Sequence, residues 1–370
     1  MQTVIITDGK YRSAIAAART LGRAGYRVVV TQTRGDTAQE PPVFASRYVA
    51  EHRWIEGQAA DGDYTARLLA LLAEYGHPAL FCVGAATLNA VARERERFAA
   101  AADFLIAPPS VLDQLNDKEA VHRRCVELGI PAPRQYDGGE EPAHYPVVIK
   151  SHCGEKLGLK AAQRYAVAHD GAEYAARLAD MRRYDPAPIV QEKVSGAGAG
   201  ASLLLGAEGQ LLAAICHRRV REYPISGGPS TCCESFYDAA LIDRAHRLLR
   251  SFGFTGMAMV EFKGEHVLEV NPRVWGSFPM TDCAGSPFAV QYARAAAGEQ
   301  VEYQPCDYRT GVRMRFLLND TVATLQYLRH GRLREFAGGV KDAFTAKEAL
   351  SSREDPAPMR RYLRHYLTGR

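Results

Sequence analysis

In the stretch VLEVNPRVWGS, residues 267–277, a carboxylate, an amide and a guanidinium fall on alternate positions: Glu269, Asn271 and Arg273. Side chains alternate faces along a strand, so Glu269 and Asn271 point the same way, about 6.5–7 Å apart along the chain. The segment MVEFKGEHVLEV reads as a hairpin. With a three-residue loop of Gly264, Glu265 and His266, Glu261 lies directly opposite Glu269, whereas a two-residue loop breaks that alignment. Two carboxylates and an amide oxygen converging on one point repel or need a counter-charge, and hard oxygen donors suit Mg²⁺. The apolar neighbours Met259, Val260, Val267 and Val270 argue against a merely solvated strand face.

Magnesium bound by a few protein oxygens commonly shares substrate phosphates, which directs attention to cations and glycines. Lys150 ends the apolar strand PVVI, where a strongly hydrated ammonium calls for an anion. The loop that follows holds Gly154 and Gly158 with Lys156 and Lys160, and loop amides together with ammonium groups can cradle phosphate oxygens. In PIVQEKV the polar residues Gln191, Glu192 and Lys193 follow an apolar strand. Extended backbone there can offer an amide and a carbonyl to an adenine edge, with Ile189 and Val194 against the ring. Clustered basic residues at His217, Arg218, Arg219 and Arg221 suit an anionic acceptor, because a guanidinium matches a carboxylate bidentately. Alternation puts Arg219 and Arg221 on the face of His217, making them the predicted inward pair, with Tyr223 and Ser226 as further lining candidates. Cys153, Cys232 and Cys233 are expected in loops near the site as packing residues or bystanders.

These residues need elements to hold them. The first thirty residues read as strand TVIIT, turn DGKYRS, an alanine-rich helix and strand YRVVV, the pattern of a parallel βαβ unit. Further helices and the runs PALFCVG and DFLIAPP extend it to an open, mostly parallel sheet ending near Pro109. The turn DGKYRS contains no GxGxxG, which argues against a dinucleotide site. Asp117 and Lys118 open a helix that stops at Gly129. Beyond it the order strand, loop, strand, helix, strand from PVVIK to PIVQEKV predicts a small lid. The run GAGAGA reads as a close-approach turn, and SLLLGAEGQLLAAICHRRV as a hairpin around Ala207 to Gln210. The loop YPISGGPST, the helix AALIDRAHRLLRSFG and the strands GMAMVEF and HVLEVN follow, and the remainder from about Thr310 is basic and helical in pattern.

Composition narrows the partners. At 370 residues the chain exceeds the ~250–300 that one core supports, so two or more domains are expected. A formal charge of +4 is small beside 46 Lys and Arg and 42 Asp and Glu, giving no reason to invoke nucleic acid. Eight cysteines without a CxxC pair suit reduced thiols of a cytoplasmic protein. The start MQTVIITDGK lacks the layout of an export signal, and no apolar run reaches the ~18 residues of a membrane span.

Taken in order, Lys118, Lys150, the glycine loop, QEKV, MVEF and LEVNPR resemble the ATP-grasp superfamily over residues 117–300. RRVREYPISGGPSTCCES with EVNPRVWGS is most similar to its carboxylate-amine ligase branch, related to the carbamoyl-phosphate synthase large subunit. The resemblance implies an α/β and α+β protein: a Rossmann-like pre-ATP-grasp domain over residues 1–112, then an ATP-grasp fold of two α+β subdomains over 113–310. The lid would span about 145–195, and a mostly helical segment would follow over 311–370. It further implies ATP and Mg²⁺, with Mn²⁺ as a substitute. Lys118, Lys150, Gly154, Lys156 and Gly158 would face phosphates, and Gln191 to Val194 the adenine. Glu261, Glu269 and Asn271 would hold metal, and Arg273 would stabilise an acyl phosphate. The expected reaction joins a small carboxylate to an amine; the alternatives are an acyl-phosphate-forming phosphotransferase or a non-catalytic ATP-binding regulator. A homodimer is common among proteins of this kind. The chain departs from the pattern in a glycine-poor phosphate loop and in lacking, within GAGAGAS, the acid that holds ribose in many members.

Overall fold

A computed structural model describes every residue except 1, 38, 60, 137–140, 153–158, 160–162, 226–227 and 369–370. Its first sheet contains β1 (Thr3–Ile6), β2 (Arg27–Thr33), β3 (Val49–Ile55) and β4 (Ala79–Phe81), all parallel, in the order β3-β2-β1-β4. Side-chain alternation sends Ile5 to one face with the helices Gly62–Ala73 and Ala85–Arg93, and Val4 and Ile6 to the other with the helix Arg12–Arg23. The sheet is therefore covered on both sides, as parallel sheets require. DFLIAPP contributes only a single bridge, Ala79 to Asp103. β3 has no counterpart in the sequence reading, because its VAEHRWI interrupts the apolar pattern with the polar run Glu51, His52 and Arg53.

The second sheet is small and antiparallel: β5 (Gln135–Tyr136), β6 (Val147–Lys150), β7 (Tyr165–Ala168) and β8 (Ile189–Glu192) in the order β5-β8-β6-β7. The helix Gly171–Arg182 covers it with Tyr174, Leu178 and Met181 over Val147, Ile149 and Val190, a core of its own.

The third sheet has seven strands, in the order β13-β12-β9-β10-β11-β14-β15. They are β9 (Gly198–Leu205), β10 (Leu211–Glu222), β11 (Ser230–Phe236), β12 (Gly256–Lys263), β13 (His266–Asn271), β14 (Arg313–Arg315) and β15 (Lys347–Glu348). One face of its central strands presents Ala201, Leu203, Ala258 and Val260 to the helix Ala239–Ser251. Two expectations change here. The glycine-alanine run is not a turn but the start of β9, and STCCESF is not loop but β11, which places Cys232 and Cys233 on a buried strand. Burial pushes the Cys232 thiol up to about 12, in keeping with an inert packing role. Cys153 lies outside the described residues.

The C-terminal segment forms the helices Leu317–Arg329, Leu333–Thr345 and Ala357–Thr368, and adds β14 and β15 to the sheet edge. It also reaches back to the N-terminal unit: buried Asp355 accepts from Arg19 Nε at 2.9 Å, from Ser46 Oγ at 2.7 Å and from the Arg47 amide at 2.9 Å. Among the described residues no helix is long and apolar enough to cross a membrane.

Candidate active site

The hairpin of β12 and β13 does place Glu261 opposite Glu269, but not by the expected turn. Lys263 pairs with His266, so the loop is the two residues Gly264 and Glu265, with Gly264 at φ +57. A register shift between Glu261 and Phe262 leaves Leu268 as an extra residue on β13, and that bulge restores the alignment a two-residue loop would break. The Leu268 carbonyl accepts from Lys150 Nζ at 3.4 Å. Asn271 joins the pair, donating from Nδ2 to Glu261 Oε1 at 3.3 Å.

Cations surround these carboxylates. Asp117 caps the helix Lys118–Glu127, accepting from the amides of Glu119 and Ala120, and so fixes Lys118 in the first turn. Lys118 Nζ lies 3.3 Å from Glu269 Oε2. Arg219 Nη2 lies 2.6 Å from Glu261 Oε2. Burial, then repulsion from Glu269, pushes the Glu261 carboxyl up, against the pull of Arg219 and Arg273. Burial acts the same way on Glu269, but Lys118 and Lys150 outweigh it and hold that carboxyl low. Lys150 itself is lowered to about 8, chiefly by burial and further by Lys118, with Glu269 opposing. Two oxygen-rich side chains in mutual repulsion, with an amide oxygen beside them, are a donor set that fits Mg²⁺. Among the described residues there is no cage of three or more His, Cys, Asp or Glu, and magnesium shared with a phosphate substrate needs none.

The glycines of β9 explain how this face is kept open. A Cβ at Gly200 would stand 2.6 Å from His217 Cε1, and one at Gly198 would stand 3.0 Å from Arg219 Cδ. β10 can lay His217 and Arg219 over β9 only because those positions of β9 are bare. His217 is buried, meets Ser277 Oγ through Nε2 at 2.9 Å, and is lowered to about 4 by burial and by Arg219, so it is neutral at pH 7.

Arg221 does not join Arg219. Arg219 pairs with Cys233 and Arg221 with Cys232, so Val220 is an extra residue and the alternation that predicted a shared face is broken. Arg221 turns into the interior, bidentate to Asp320 at 2.8 and 2.9 Å, with Nη1 donating to Asp342 at 2.7 Å. It anchors the C-terminal segment. Arg218 pairs with Glu234 instead of facing the site. Tyr223 is exposed beyond the end of β10, while Gly154, Lys156, Lys160, Gly158 and Ser226 lie outside the described residues.

At the end of β8, Gln191 is buried and the Glu192 amide and carboxylate are both engaged with the backbone of Arg134, each at 2.9 Å. The Lys193 amide donates to the Pro146 carbonyl at 3.2 Å. The hinge groups still suited to an adenine edge are therefore the Lys193 carbonyl and the Val194 amide. Arg273 follows Asn271 and donates from Nη1 to the Val274 carbonyl at 3.1 Å. Trp275 behind it is buried edge-on to Phe278 and Phe288, and this anchors the NPRVWGS turn.

Next to the carboxylates lies a cavity of about 410 Å³. Its walls include the turn at residues 10–13, the large sheet with His217, Arg219 and Glu261, and the C-terminal segment with Phe316 and Asn319. Sequence reasoning missed the first and third. The available signal was DGKYRS itself, a turn with basic and hydroxyl side chains at the carboxyl end of a central parallel strand, where α/β proteins bind ligands. Asp8 in that turn is not free for a ligand: at φ +59 it accepts from the Gly84 amide at 2.9 Å and from Thr87 Oγ1 at 2.8 Å, filling the start of the helix Ala85–Arg93.

No family model matches the sequence, and no curated protein matches it. Solved structures do. A biotin carboxylase from Campylobacter jejuni, in a complex with β,γ-ATP, superposes with a TM-score of 0.61 at 13% identity, covering 84% of this chain and 74% of that one. An L-amino acid ligase from Bacillus licheniformis superposes with a TM-score of 0.57 at 13% identity, covering 80% and 74%. An N5-carboxyaminoimidazole synthetase from Staphylococcus aureus gives 0.59 at 14%, covering 81% and 78%. At such identity the likeness is one of fold.

Proposed function

From the premise that this chain has the ATP-grasp fold, we propose that it is an ATP-dependent ligase joining a carboxylate to an amine through an acyl phosphate. The observation that carries the reading is the opposed pair Glu261 and Glu269 with Asn271, ringed by Lys118, Lys150 and Arg219. Lys118 and Lys150 hold the ATP phosphates, helped by Gly154, Lys156 and Gly158, while the Lys193 carbonyl and Val194 amide read the adenine edge. Glu261, Glu269 and Asn271 hold Mg²⁺, which when bound neutralises the triphosphate and polarises its transferable phosphoryl group.

The substrate carboxylate attacks the γ-phosphorus; a P–O bond to the acid forms and the β,γ-bridging P–O bond breaks, releasing ADP. The amine then attacks the acyl carbon, the C–O bond to phosphate breaks, and phosphate leaves as the amine loses a proton. Arg273 and Arg219 supply positive charge to the acyl phosphate. His217, neutral and tied to Ser277, serves as a wall and hydrogen-bonding group. The small antiparallel sheet acts as a lid that keeps water from the acyl phosphate.

The test is phosphate release from Mg-ATP with small carboxylates and amines, singly and in pairs. Release that needs one of each establishes the ligase. Release with a carboxylate alone, with no amine consumed, would replace it with an acyl-phosphate-forming phosphotransferase.

A further inference from the structure

We propose that the acid activated here carries a second anionic group, and that Arg12 receives it. The proposal deepens the ligase reading, on which it rests for the fate of the acid; the anion site itself stands on the charges of the cavity.

Three cationic side chains line that cavity: Lys10, Arg12 and Arg219. Two are neutralised within the protein, Lys10 by Asp36 at 2.7 Å and Arg219 by Glu261 at 2.6 Å. Arg12 is different. Its guanidinium sits 4.8 Å from the ring centre of Phe316 and 5.4 Å from that of Tyr362, and Nη2 donates to the Tyr362 hydroxyl at 2.9 Å. Among the described residues it meets no carboxylate. Two aromatic faces and a neutral hydroxyl hold a half-buried cation in place while leaving most of its five N–H donors unspent. A planar fork fixed this way is preorganised for a carboxylate or phosphate-type oxygen pair.

The surroundings agree. Arg12 opens a helix whose first turn carries no acidic side chain. Asn319 adds a neutral amide to the same cavity, while the hydroxyls of Ser13, Ser230 and Ser277 are engaged with the Trp275 carbonyl, the Cys232 carbonyl and His217. Its volume of about 410 Å³ lies within the range of small-molecule sites, roughly 300–1,000 Å³. Because Glu261 and Arg219 also line it, an acid with its reacting carboxylate at the magnesium ligands and a second anion at Arg12 meets charge at both ends. A monocarboxylate would leave Arg12 unanswered.

Calorimetric titration with matched acids tests this: glutarate against valerate and adipate against hexanoate, each with MgADP present, plus 3-phosphonopropionate. Wild-type protein is expected to bind each diacid at least ~10-fold more tightly than its monoacid partner, the scale of one charged hydrogen-bonded contact. Arg12→Met should bring the pairs to parity with MgADP affinity unchanged. Tyr362→Phe, which removes only the hydroxyl that positions Arg12, should erode the preference about threefold and keeps the test available where Arg12→Met does not fold. The phosphonate arm decides between a carboxylate and a phosphate-type second group. Equal binding of the pairs by wild type, or a preference that survives Arg12→Met, overturns the proposal. Failure of wild type to bind MgADP brings down the ligase reading instead, while the diacid preference still decides the role of Arg12.

Discussion

At the scale of single residues, the site is a balance among charges that burial alone would oppose. Glu269 stays ionised because Lys118 and Lys150 outweigh its burial, and it is the carboxylate most available to a metal. Glu269→Gln keeps the size and removes the charge, so phosphate release is expected to fall by ~10²-fold or more with little change in melting temperature. Activity within threefold of wild type, in a steady-state assay, would overturn the proposed metal-binding role of Glu269. Lys150 makes a second prediction with two opposite signs. Its ammonium loses its proton near pH 8, so KM for ATP is expected to rise as pH passes from about 7 to 9, and Lys150→Arg should remove that rise. Stability moves the other way. Between about 8 and the ordinary lysine value of 10.5 the unfolded chain binds the proton and the folded one does not, so folding becomes more favourable as pH rises through that window. Denaturant midpoints of wild type and Lys150→Met across the window measure this, and parallel curves would contradict it.

At the scale of elements, two bulges decide which side chains meet. The one at Leu268 restores the facing carboxylates, and the one at Val220 separates Arg219 from Arg221. Periodicity led the sequence reading to the β12–β13 hairpin, where Glu261, Glu269 and Asn271 do come together with Lys118 beside them, since alternation and a helix cap are local signals. It failed at Arg221 because one extra residue in a strand reverses every later side chain, and no residue in HRRVRE announces the insertion. The role of DGKYRS was hidden for another reason: its partners, Glu261, Phe316 and Tyr362, are distant in sequence. The two arginines can be separated by experiment. Arg221→Met leaves buried Asp320 with only Arg315 at 3.4 Å and the Thr231 hydroxyl, and Asp342 with only Arg313 at 2.8 Å, and is expected to cost about 3 kcal/mol of stability, read by chemical denaturation. Arg219→Met should leave stability within about 1 kcal/mol and weaken turnover. The reverse pattern would return Arg221 to the site. Gly200→Ala tests the bare strand itself: a methyl group 2.6 Å from His217 Cε1 must displace a buried ring, so a loss of about 1–3 kcal/mol and of activity is expected together.

At the scale of the whole molecule, the C-terminal segment holds the cavity together. It reaches the large sheet through Arg221, Asp320 and Asp342, and the N-terminal unit through Arg19 and Asp355. Asp355 also directs the chain into the helix Ala357–Thr368, whose Tyr362 positions Arg12 at the cavity wall. Stability and acid binding should therefore be linked through a residue that touches neither nucleotide nor acid. Asp355→Ala leaves Arg19 with its guanidinium buried and only carbonyl partners, at Leu350 and at residue 355 itself. Breaking a buried pair in this way costs about 3–5 kcal/mol, so a clear fall in melting temperature is expected. Because the released helix also carries Tyr362, diacid binding should weaken well before MgADP binding does, since Lys118, Lys150 and the β12–β13 hairpin make no contact with Asp355. Titrating both ligands into the variant below its melting temperature distinguishes the possibilities. Parallel losses would mean that the segment only adds stability; loss of the acid alone would mean that the C-terminal segment shapes which acid the cavity accepts.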